Sequence, residues 1–238
     1  MSETGPPTQD IFGAGAAQRR FLEAVAGLDD ADLARPSLLP EWTVGHVLAH
    51  LARNADSHRR MLEAAERGEV ADQYEGGYEA RAAAIERSAG QPAADLLADL
   101  RAACAKLNRT WLDLHAVTWN HGEGRLVSGE VVPVRHLPFR RWREIEVHRA
   151  DLGLGFSWRD WSDDYVQAEL RHQLANLPNR LQPGEAVRLV ATDLDRSWTI
   201  PDTATGMLTL SASSRELVAW LLGRRDTPSL PTLAPWQP

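Results

Sequence analysis

The chain has 238 residues, of which 43 % are hydrophobic and 25 % charged, and a net charge of −7. That is enough length for one large domain or two small ones with a real core, and the composition excludes wholesale disorder. The acidic balance argues against a nucleic-acid binder, whose affinity comes from neutralising phosphates, but leaves room for basic groups around a small anion.

In chain order, Met1 to Asp10 is polar and lacks the basic-then-apolar order of a signal peptide. Gln9 to Leu28 reads as a helix on the partial stripe Ile11, Phe12, Phe21, Leu22 and Val25, with Asp29-Asp30 ending it. Pro36 and Pro40 bracket a loop. A strong helix starts at Trp42-Thr43 and runs to about Glu66, carried by Val44, Val47, Leu48, Leu51 and Ala52. After Gly76-Gly77, a third helical region spans Tyr78 to about Leu114, interrupted at Gly90-Gln91-Pro92. Asn120 to Pro133 is a loop or small hairpin. Leu137 to about Leu152 is a fourth helix with Pro138 in its first turn.

The texture changes after Gly155. Trp158 to Leu177 reads as one helix. Trp158 and Trp161, if exposed, would mark a domain interface. Ala186–Ala191, Ser197–Ile200 and Met207–Leu210 read as strands. Ser213 to Glu216 caps a helix from Leu217 to Leu222 that Gly223 closes. Thr227 to Pro238 reads as extended. The expected architecture is α+β: an N-terminal four-helix bundle over residues 1–155 and a smaller C-terminal α/β domain over 156–238. One cysteine, Cys104, excludes an internal disulfide and a cysteine zinc site, and fits a reducing cytoplasm. No 18-residue apolar run exists, so no membrane span is expected.

The chemistry concentrates on two helices. The second carries His46 and His50, and the fourth carries Glu144 and His148. Residues four apart lie roughly 40° apart around a helix, so Glu144 and His148 share a face and can reach one ion. A histidine or a carboxylate from a facing helix can complete the set, and two imidazoles with one carboxylate make a catalytic zinc pattern with an open position. The bland alternative is a solvated Glu–His pair. His46 and His50 could be one ligand pair, or His46 a packed core histidine. His58, His115, His121, His136 and His172 have no such spacing and read as surface or structural. Cys104 reads as a packed small side chain.

Two segments, Trp42-Thr-Val-Gly-His-Val-Leu-Ala-His-Leu-Ala-Arg-Asn-Ala-Asp-Ser57 and Arg143-Glu-Ile-Glu-Val-His-Arg-Ala-Asp-Leu152, resemble the mycothiol-dependent maleylpyruvate isomerase family. Its first domain is a DinB-like four-helix bundle, and the Leu217-Val-Ala-Trp-Leu-Leu-Gly-Arg224 ending resembles its second. The resemblance implies a divalent metal, zinc in the first place, on His50, Glu144 and His148, which leaves His46 the bland histidine. It implies a C-terminal arginine that takes part in turnover and grips a substrate carboxylate; Arg224 is the match, with Arg215 and Arg225 as fallbacks. Asn54 is a candidate contact to the bound thiol. Asp151 is placed to hold a ligand imidazole, with a cap or salt bridge as the favoured alternative.

The implied partners are mycothiol as a low-molecular-weight thiol coenzyme and a small anionic substrate, in a monomeric cytoplasmic enzyme of aromatic catabolism with no nucleic-acid or membrane partner. The implied reaction adds the thiolate to the cis double bond of maleylpyruvate, lets the resulting single bond rotate, and eliminates the thiolate to give fumarylpyruvate. A mycothiol S-transferase acting on another electrophile, a non-catalytic zinc module closed by His46, and a metal-free helical module are the alternatives.

Overall fold

The computed structural model describes residues 5–182, 184–201, 208–225 and 233. The chain separates into two compact units, Met1–Gly155 and Phe156–Pro238.

The first unit contains α1 (Thr8–Val25), α2 (Asp30–Leu33), α3 (Val44–Glu66), α4 (Gly77–Ala89), α5 (Ala93–Asp113), α6 (Ala116–His121), the hairpin strands β1 (Glu123–Arg125) and β2 (Val131–Pro133), and α7 (Leu137–Asp151). Helices α1, α3, α5 and α7 pack on one another as a four-helix bundle, with α4 against α3. The Gly90–Pro92 interruption separates α4 from α5, because proline lacks the N–H and clashes with the preceding turn. The short helices α2 and α6 are not marked by periodicity. Asp29 starts α2 with a capping box to Asp32. The Asn120–Pro133 region is a hairpin entered from α6, paired antiparallel from Glu123↔Pro133 to Arg125↔Val131.

Helix α3 is the bundle's centre. Val47, Leu48, Leu51, Ala52, Ala55, Met61 and Leu62 are fully buried on it, and each buried leucine contributes about 2 kcal/mol. Helix α7 is the instructive element. Its sequence is rich in charge, yet Arg141, Arg143, Glu144, Glu146, His148 and Asp151 are all buried. It meets α1 closely at Gly13, where an added Cβ would overlap the Trp142 ring. The Arg20–Glu146 ion pair at 3.0 Å ties the same two helices.

Arg141 lies wholly inside the bundle. Its Nε donates to Gln18 on α1 at 3.1 Å, its Nη1 to the Leu51 carbonyl and Asn54 Oδ1 on α3 at 2.8 and 2.7 Å, and its Nη2 to Cys104 Sγ on α5 at 3.3 Å. One guanidinium on α7 therefore ties the other three bundle helices together.

The second unit contains α8 (Asp163–Asn176), strands β3 (Val187–Ala191), β4 (Arg196–Ile200) and β5 (Leu208–Ala212), and α9 (Ser214–Leu221). The expected single helix from Trp158 is instead a 3-10 turn at Trp158–Asp160 followed by α8. Ser157 and Asp160 close that turn in their own capping box, and extended backbone at Trp161 and Ser162 separates it from the α-helix. Trp161 is buried against Tyr165, with ring centroids 5.6 Å apart, so it belongs to this unit's core rather than to an exposed surface.

The sheet order is β4-β3-β5. β3 pairs antiparallel with β4 and parallel with β5. Val187, Leu189 and Ala191 point to the buried face and Arg188 to the other, the period-two pattern of a half-buried strand. The third strand starts at Leu208; Met207 and the Thr227–Pro238 tail lie outside the described residues, except position 233.

Candidate metal centre

Two helix starts place the centre. Thr43 opens α3 with a capping box in which its hydroxyl accepts from the His46 N–H and its own N–H donates to His46 Nδ1 at 3.2 Å. Histidine fills the position usually taken by Glu or Gln. His46 Nε2 lies 3.2 Å from Glu86. The side chain is thus engaged at both ring nitrogens, and a groove of about 560 Å³ beside it, lined by Asp30, Thr43 and Glu86 among others, contains none of His50, Glu144 or His148.

One turn further, His50 turns inward and meets α7. His50 Nε2 lies 2.8 Å from Glu144 Oε2, and His148 Nε2 lies 3.4 Å from the same oxygen. One donor atom from each residue falls within 4.8 Å of the others, the one such buried group among the described residues. All three side chains are buried, and the two imidazoles meet edge to face with centroids 4.8 Å apart. The Trp42 ring walls the other side of His50 at 5.6 Å.

These residues fit a divalent ion. Tetrahedral ligand bonds of about 2.0–2.1 Å put neighbouring donors about 3.3 Å apart, close to the 2.8 and 3.4 Å separations from Glu144, while the two imidazole nitrogens, within 4.8 Å of each other, draw together around an ion. Asp151 Oδ2 lies 2.9 Å from His148 Nδ1. That contact orients the ring and leaves Nε2 facing Glu144, the carboxylate–histidine arrangement found behind metal ligands. The contact is the salt bridge weighed for Asp151, and its geometry is also the one needed to orient the ring toward an ion.

The electrostatics follow from burial and proximity. Burial pushes the His50 imidazole down to about 4, against the opposing pull of Glu144. Burial also disfavours charge on His148, but Asp151 and Glu144 outweigh it and raise that imidazole to about 9. Burial would raise Glu144, yet the His148 and His50 contacts hold its carboxyl well below the usual range. The result is a carboxylate between one neutral and one charged imidazole, and a cation entering here displaces the His148 proton.

The structure therefore brings together His50, Glu144 and His148, the set that the family resemblance implies; spacing alone pairs only Glu144 with His148. Asn54 is buried one turn along α3, its Oδ1 taken by Arg141. Arg224 belongs to the second unit, where its Nη1 donates to the Leu222 carbonyl at 2.9 Å. Arg215 pairs with Asp163 and Arg225 with Glu216. Sequence reasoning misses two neighbours of the centre. Arg81 Nη2 reaches His50 Nδ1 at 3.2 Å, and its guanidinium stands over the Tyr74 ring at 5.8 Å. No spacing signal points to either, because only the packing of α4 on α3 brings them in.

Fold and site together define a helical-bundle protein with an inward His2Glu cluster able to hold a cation. The family model for the mycothiol maleylpyruvate isomerase N-terminal domain matches residues 14–153, and the chain belongs to that family. The chain is also similar to two crystal structures of the mycothiol-dependent maleylpyruvate isomerase, each at 22 % identity over 95 % of this chain and 96 % of the other. One, a histidine-to-alanine mutant, superposes with a TM-score of 0.82, and the other with 0.81. The fold is accordingly that of those structures, a four-helix bundle followed by a small α/β unit. Among curated proteins none matches. No described helix is long and apolar enough to cross a membrane.

Proposed function

We propose that the chain is a thiol- and metal-dependent cis–trans isomerase, with mycothiol as coenzyme and maleylpyruvate as substrate. The observation that carries this reading is the convergence of His50, Glu144 and His148 inside a bundle of the maleylpyruvate isomerase family. A divalent cation, zinc in the first place, held by these three residues supplies the positive charge that favours a thiol in its thiolate form. The thiol coenzyme supplies a reversible nucleophile for a conjugated cis double bond.

The chain's own residues do the positioning. Asp151 fixes the His148 ring through Nδ1. Burial of His50 and Glu144 keeps bulk water from the donor atoms, which strengthens every charge interaction there. Trp42 holds the His50 ring in place on its open side. Arg224 is the proposed partner of a substrate carboxylate, since a guanidinium fork matches a carboxylate as a lysine does not. Asn54 is the proposed contact to the thiol.

The test is absorbance loss of maleylpyruvate with zinc-loaded protein, with and without mycothiol. Conversion to fumarylpyruvate that strictly requires the thiol supports the reading. A thiol adduct that accumulates on another electrophile, without isomerisation, replaces it with an S-transferase.

A further inference from the structure

Arg81 stands at the edge of the cation site with a charge that the bundle does not balance. It occupies the second turn of α4, and its contacts are His50 Nδ1 and the Tyr74 ring. No carboxylate of the described residues lies within ion-pair distance of it. Beside it the Tyr74 hydroxyl is buried, with Ser57 and Arg81 itself as its polar neighbours. A hydroxyl and a guanidinium side by side give an anion two kinds of donor at one place.

The contact to His50 conflicts with ligation. A guanidinium can only donate, so it needs the lone pair of Nδ1, which places the His50 proton on Nε2 facing Glu144. An ion on Nε2 reverses the arrangement, because that nitrogen then offers its lone pair and Nδ1 carries the proton. Two donors would then face each other at 3.2 Å. Ligation by His50 and the Arg81 contact exclude one another, and the guanidinium must turn away. Helix α4 lets it do so, since it buries only Ile85 and Ser88 and begins at two glycines with positive φ, Gly76 and Gly77.

We propose that Arg81 is a substrate-binding residue: ion binding at His50 releases its guanidinium, which then holds a substrate carboxylate together with the Tyr74 hydroxyl. This rests on the isomerase reading above, whose substrate carries a carboxylate at each end. A carboxylate is favoured over the thiolate because a planar fork plus a neighbouring O–H matches two oxygens rather than one sulfur.

The test compares wild type with Arg81→Met and Arg81→Lys. Cobalt affinity is read by the visible absorption of Co²⁺ in substrate-free protein. Maleate, a short cis dicarboxylate, is then titrated calorimetrically into zinc-loaded protein, and mercaptoethanol into the cobalt form. Arg81→Met is expected to bind cobalt about three- to tenfold more tightly, because a competing donor and a cation are removed. It is expected to bind maleate at least about tenfold more weakly with thiol binding unchanged, and Arg81→Lys to fall between. Unchanged maleate affinity in Arg81→Met, or loss of thiol rather than maleate binding, overturns the assignment while leaving the isomerase reading intact. Wild type that takes up no cobalt overturns both.

Discussion

Arg141 and Glu144 stand three residues apart on α7, both buried and both bonded to α3, yet their surroundings are built in opposite ways. Around Arg141, donors meet acceptors: Gln18, the Leu51 carbonyl, Asn54 and Cys104 each receive a bond from the guanidinium. Around Glu144, two imidazole nitrogens and a carboxylate oxygen crowd one point, and the bonds there run through protons that an entering cation displaces. The first cluster satisfies itself and fastens helices. The second becomes three lone pairs facing one point once the two Nε2 protons leave, which is what a cation site looks like from the protein side. Burial alone does not separate the two; whether the groups can exchange their protons for one shared ion does.

The comparison predicts which property each substitution breaks. Arg141→Leu leaves buried acceptors on three helices without their donor and is expected to cost about 3 kcal/mol by urea unfolding, while the folded fraction still binds zinc. Glu144→Gln is expected to do the reverse, weakening zinc at least about 100-fold in a chelator competition with a smaller change in the metal-free melting temperature. Asp151→Asn, which removes the carboxylate behind His148, should weaken zinc about tenfold.

The pH response sharpens the contrast further. His58, buried in the same bundle near Arg141, has its imidazole pushed down by burial to about 3. The unfolded chain takes up that proton below about 6.5 and the folded chain does not, so stability falls as pH falls between these values, by about 1.4 kcal/mol per unit. His58→Met should flatten the acid limb of a stability–pH curve relative to wild type. The smallest effect is expected for His46→Ala, which loses a capping partner worth about 1 kcal/mol but leaves zinc content unchanged.

Much of this was legible in the residues, and the rest fails for identifiable reasons. The apolar stripe of α3 and the four-residue step from Glu144 to His148 are local patterns, and both survive into the structure. The polar texture of α7 hides its depth, because its charged residues face inward rather than out. Helices α2 and α6 are shorter than two turns and leave no periodic trace. The α8 start moves because extended backbone at Trp161 and Ser162 overrides an otherwise continuous pattern. Arg81 and Tyr74 are invisible in the sequence, since a guanidinium 31 residues from His50 reaches it only through tertiary packing. Spacing likewise gives no ground for choosing among Arg215, Arg224 and Arg225.

The central claim, that α3 and α7 together build a cation site, is tested most directly by metal analysis of the purified chain after equilibration with zinc. Wild type is predicted to hold about one zinc per chain, and His50→Ala, Glu144→Gln and His148→Ala each to lose nearly all of it, with His46→Ala still loaded. Zinc retained equally by the Glu144 and His148 variants, or no zinc in wild type, would contradict the account.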